Sequence, residues 1–171
     1  MPLKIFVLIL MLLVAGFGLK AQIPKASELP EDVGDIVFDP KTDKADFFFC
    51  HKDYIIQYYN YGTKYKGGGK AIRDFINSKF QYKPAYAPAT GFITVRFVIN
   101  CKGETDRFRV LQLNKDYQKT LFDTGLTNQM LKLCKALNQW LPGKDDKGNF
   151  YDSYYYLNFK LVNGRIKAIT P

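Results

Sequence analysis

Gly91-Phe92-Ile93-Thr94-Val95-Arg96-Phe97-Val98-Ile99-Asn100 alternates with a period of two. Successive side chains of a strand leave on opposite faces, so Ile93, Val95, Phe97 and Ile99 point one way and Thr94, Arg96 and Val98 the other. The stretch reads as a strand with one face on a core. Cys101-Lys102-Gly103-Glu104 then supplies a short hairpin, Gly103 suiting the positive φ of a bulged turn, and Phe108 to Gln112 returns as the partner strand.

Downstream, a polar loop through Asn114-Lys115-Asp116 leads to a helix over roughly residues 121–139. Phe122, Leu126, Met130, Leu133, Leu137 and Trp140 form its apolar stripe, and Pro142-Gly143 stops it. Tyr154 to Leu161 is a third strand with Tyr155, Leu157, Phe159 and Leu161 inward. Asn163-Gly164 signals a tight hairpin into a short last strand, Ile166 to Ile169. Upstream, Gly67-Gly68-Gly69 opens a helix from about Lys70, with Ile72, Phe75, Ile76 and Phe80 on one face. Tyr82-Lys83-Pro84 and Pro88 end it, because the residue before proline avoids the α region. The segment 53–61 fits a strand buried on both faces or a short helix; periodicity alone leaves both open. The fold class is therefore α+β: an antiparallel sheet with two helices packed on one face. Residues 47–171 form the single domain.

The first residues set the compartment. Lys4, an apolar run from Ile5 to Gly18 and a small residue before Gln22 match a cleavable secretory signal over residues 1–21. Lys20 cuts the run below the roughly 20 apolar residues of a spanning helix. The expected location is periplasmic or secreted, with no stable membrane anchor after cleavage. Residues 22–46 carry Pro24, Pro30 and Pro40 and no period, and read as a flexible arm. Of the net charge of +9, Lys4 and Lys20 fall in the signal, leaving 23 basic against 16 acidic residues, or +7. That excess is scattered, whereas a nucleic-acid reader gathers it on one face, so no nucleic-acid partner is expected.

Three cysteines in an exported chain allow one disulfide and leave one thiol, or sit as three small buried apolar residues. The strand runs back from the Cys101 turn and the following helix returns toward it, which makes Cys101–Cys134 the expected bridge.

Catalytic chemistry finds little support. His51 is the one histidine, and its neighbour Cys50 leaves a strand on the opposite face, while a thiolate–imidazole pair must converge. Metal sites usually want two or more His or Cys ligands at motif spacing. Ser27, Ser78 and Ser153 lack a nucleophile-elbow pattern, and the Gly triplet lacks the rest of a phosphate loop. No enzyme activity, cofactor or metal is expected.

The segment from Gly68 to Ile166 resembles the C-terminal domain of TonB, in its divergent stand-alone form. The points of similarity are the Gly-rich entry to the Ala71-Ile72 helix, Tyr82-x-Pro84, Gly91-x-Ile93-x-Val95-x-Phe97-Val98, and the Gly103 turn. They continue through Trp140-x-Pro142-Gly143 and Phe159-Lys160-Leu161-x-Asn163-Gly164. The resemblance implies function by contact, in which the terminal strand region pairs with a short peptide of an outer-membrane transporter. An envelope protein or extended peptide is the expected partner. Two alternatives stay open: an anchored TonB-type transport component with an uncleaved N-terminus, and a charge-driven binder of envelope glycan or lipid. The expected contact residues are Tyr154, Tyr156 and Asn158 on the third strand and Arg165 and Lys167 on the last. Arg96 and Arg109 are polar anchors. The outward tyrosines either meet a ligand or pack under the N-terminal segment around Tyr54 to Tyr61.

Overall fold

The computed structural model describes residues 35–51 and 54–171. The signal segment 1–21 and residues 22–34 of the arm lie outside the described residues. The elements are β1 (Ile56–Gln57), β2 (Lys64–Tyr65), α1 (Gly68–Lys79), β3 (Gly91–Ile99) and β4 (Thr105–Asn114), then α2 (Thr124–Lys135), β5 (Trp140–Leu141), β6 (Ser153–Val162) and β7 (Arg165–Thr170). Among the described residues the chain is α+β, with two α-helices and an open, mostly antiparallel sheet in the order β1-β6-β3-β4, β7 also pairing with β6.

Alternation in β3 and β6 builds the core. Ile93, Val95, Phe97 and Ile99 meet Tyr155, Leu157, Phe159 and Leu161, and Ile72 and Ile76 of α1 and Leu126, Met130 and Leu133 of α2 pack on that face. The turns follow backbone chemistry. Asn163 and Gly164 both take positive φ, 51° and 69°, which a two-residue hairpin loop of type I′ requires.

The second helix is shorter than its apolar stripe suggests. The Asp123 carboxylate caps it by accepting from Leu126 N–H at 3.0 Å, and the chain turns away after Lys135. Leu137 and Trp140 still reach the core from outside the helix, Trp140 as part of β5 paired with Tyr65. The ambiguous segment before the Gly triplet resolves as the two residues of β1, parallel to β6, followed by a turn closed by Thr63 N–H on the Tyr58 carbonyl.

Two expectations are corrected. The bridge joins Cys50 to Cys101, with Cα atoms 6.1 Å apart, and Cys134 is a free, buried thiol. Cys134 faces the core under the sheet, while the Cys101 turn is reached by the chain at Cys50. The buried Asp152 carboxylate fixes that meeting by accepting from the backbone N–H groups of Cys50, His51 and Cys101 at 2.7, 2.8 and 2.9 Å. Secondly, the arm is not loose throughout. From Ile36 onward it packs on the sheet, with Phe47, Phe49, Ile36 and Ile55 around Val98 and Tyr154. The third strand, β6, lies inside the sheet. It pairs with β3 along its length, and on the other side with β1 at Ser153 and Tyr154 and with β7 from Asn158 to Val162.

Candidate functional site

Residues directly opposite each other in a ladder share a face. Reading across the registers therefore lays out the outer face of the sheet, the one away from the helices, in rows. Tyr154, Val98 and Asp106 form the first row, and Tyr156, Arg96 and Arg109 the second. The third holds Thr170, Asn158, Thr94 and Leu111. The fourth holds Ala168, Lys160, Phe92, Leu113 and, through an isolated antiparallel bridge, Lys119. Five predicted contact residues, Tyr154, Tyr156, Asn158, Arg96 and Arg109, thus lie on one face.

The face is half covered. Tyr154 and Arg96 are buried, with the guanidinium carbon of Arg96 4.3 Å from the Tyr154 ring centroid. The role expected of them as exposed contacts is corrected: the N-terminal segment sits on them. Arg109 holds that segment with bonds of 2.9 and 2.8 Å to the Asp43 carboxylate and another to the Val37 carbonyl. Burial of Asp43 opposes its ionisation. The Arg109 hydrogen bond, the Asp39 backbone N–H and the charges of Arg109 and Arg107 outweigh it and hold the pKa at about 2.

Arg107 is the residue that sequence reading missed. It sits at a bulge opposite Phe97 with φ 60°, donates to the Lys44 carbonyl and to Asp106, and points its guanidinium at the rings of Phe38, Phe47 and Phe49. A cation among three rings of this covering strap, residues 36–50, is a strong local tie. Its only sequence signal is a position in the early part of a strand whose start was placed at Phe108.

Among the described residues, the ring of Tyr117 lies on the lower two rows, against Phe92, and the strap's apolar residues cluster instead with Val98 and Tyr154. Phe92, Leu111 and Leu113 are half-buried and belong to neither buried cluster. Thr94 Oγ1 donates to Asn158 Oδ1 at 2.6 Å, so the polar pair between them is satisfied internally. Tyr117 stacks on Phe92 at 5.2 Å and 16° while remaining 70% exposed. Its turn is held by the Asn114 side chain, which accepts from Asp116 and Gln118 N–H. Lys160 and Lys119 are exposed at the two ends of the Phe92–Leu113 pair, and these rows contain no acidic residue.

Tyr156 lies at the boundary between covered and open halves, 5.6 Å from the Tyr58 ring. The Tyr58 phenol is raised above its ordinary pKa by burial and by its hydrogen bond with Tyr156. The remaining predicted residues sit apart. Arg165 stacks on Tyr82 at 4.0 Å, and Lys167 occupies the register shift of β7. A second aromatic group gathers His51, Tyr54 and Tyr61 around Tyr151, whose hydroxyl donates to Asp145. That bond raises the Tyr151 pKa.

Among the described residues, Cys50, Cys101 and Asp152 are the one group of metal-ligating side chains with ligand atoms within 4.8 Å of one another. The two sulfurs are spent on the disulfide and the carboxylate on backbone N–H groups, so the group is a structural tie. No helix among the described residues is long and apolar enough to cross a membrane.

Comparison of the chain with protein-family models, with curated proteins and with solved structures finds no match in any of the three.

Proposed function

We propose that the protein is a non-catalytic binding module of the bacterial cell envelope, similar in design to the C-terminal domain of TonB, which holds an envelope protein or an extended peptide. Support for the likeness comes from the order of elements: a Gly-entered helix, a hairpin, a second helix, a Trp-Leu-Pro-Gly corner and a closing hairpin. A disulfide accords with an oxidising compartment, and so with the periplasmic or secreted location that the N-terminal signal suggests.

The observation that carries the proposal is the half-open outer face. Its covered rows show what the sheet accepts there, an irregular segment that docks aromatic side chains on it. Its lower rows offer the same kind of surface to another chain, with Phe92, Leu111 and Leu113 as apolar floor and, alongside for main-chain pairing, the side of β7 that pairs with no strand among the described residues. The test is capture of a discrete partner from envelope fractions by the tagged full-length protein, compared with Leu111→Asp. Capture that is lost in the variant, with a native far-UV spectrum retained, is expected; equal capture by both contradicts the proposal.

A further inference from the structure

The strap that covers the upper rows stands on the sheet as a second layer, and packed layers lie about 10 Å apart. The open rows are therefore the floor of a step, bounded on one side by residues 36–50 and overhung on another by Tyr117 on Phe92. A flat bilayer meets the top of such a step, whereas a single extended or helical segment can lie on the floor. The floor has a charge pattern as well as a shape. Along the fourth row a lysine, an aromatic ring, a leucine and a second lysine follow in order from Lys160 to Lys119. With strands about 4.8 Å apart, the two lysine backbones lie roughly 14 Å from each other. Asp116, in the turn that leads to Lys119, is already paired with Lys115 at 2.9 Å.

Resting on the binding reading above, we infer that the open half of the outer face is a docking floor for an acidic, amphipathic protein segment. Apolar side chains of that segment lie on Phe92, Leu111 and Leu113, and its carboxylates reach Lys119 and Lys160. Tyr117 closes over the apolar contact as an amphipathic ring suited to a wet rim. Charge complementarity selects the partner, because a basic segment would place like charges at both ends of the row.

The experiment is a titration of the isotope-labelled full chain followed through its backbone amide signals. The probes are a six-residue peptide alternating leucine and glutamate, its leucine–lysine counterpart, and phosphatidylglycerol vesicles. The expected result is a shift of Phe92, Thr94, Leu113 and Asn158 with the glutamate peptide alone. In Lys119→Glu/Lys160→Glu, a pair of exposed positions, affinity falls about tenfold at low salt. Thermal unfolding of that variant checks that it is folded. Equal binding of both peptides, binding of the vesicles without the peptide, or no shift with any probe overturns the inference. Shifts confined to Arg165–Thr170 also overturn it, while leaving the broader proposal of a peptide-binding module standing.

Discussion

Arg96 lies across the face of Tyr154, its guanidinium carbon 4.3 Å from the ring centroid, and both side chains are buried beneath the N-terminal segment. The two residues are part of the fold rather than of its contact surface. Tyr154→Ala is therefore expected to lower stability by about 3 kcal/mol or more, the usual cost of emptying a buried aromatic site. Urea unfolding measures the loss. Peptide affinity of the folded fraction should be unchanged.

Asp152 is buried and receives three backbone N–H groups from the two chain segments that the disulfide joins. Removing the acceptor leaves those donors without a partner, each costing about 1–3 kcal/mol. Asp152→Ala is thus expected to cost at least as much as breaking the disulfide itself, as read from denaturant midpoints.

The Cys50–Cys101 bridge closes a separation of 51 residues, worth about 4 kcal/mol by loop entropy. Unreduced peptide mapping should show that linkage and no other. Burial pushes the Cys134 thiol well above its ordinary pKa, so alkylation of Cys134 should require unfolding. Rapid labelling of Cys134 in the native protein would contradict the fold.

Acid should loosen the strap. The pKa of Asp43 is depressed from 3.8 to about 2, so its contribution is complete above the unfolded value and is lost as pH falls through about 2. Allowing for solvent screening, this is on the order of 1 kcal/mol. Asp43→Asn should remove that portion of the acid dependence, seen in urea midpoints between about pH 5 and pH 2. An unchanged pH profile would mean that the Asp43 pairs with Arg107 and Arg109 contribute nothing.

Much of the fold was legible because it depends on short-range patterns. The alternation of Ile93 to Ile99, the helical stripe through Ile72 and Ile76, and the Asn163-Gly164 turn each carry their structure within a few residues. The strap was not legible, because its hold on the sheet depends on separated residues such as Asp43, Phe47 and Phe49 meeting partners more than 50 positions away. The same long-range step hid the partner of Cys101. For the candidate site, the facing of Tyr156, Asn158 and Arg96 followed from alternation, whereas the segment that covers Arg96 and Tyr154 was not identified. Phe92 and Leu113 escaped notice at the ends of their strands, and only the register places them between Lys160 and Lys119.

The most direct measurement is photo-crosslinking in living cells with p-benzoylphenylalanine placed at Phe92, on the open floor, or at Asn128, exposed on the helix side. The account predicts a discrete protein adduct from position 92 and none from position 128. Adducts from position 128 alone, or from neither, would contradict a binding surface on the outer sheet face.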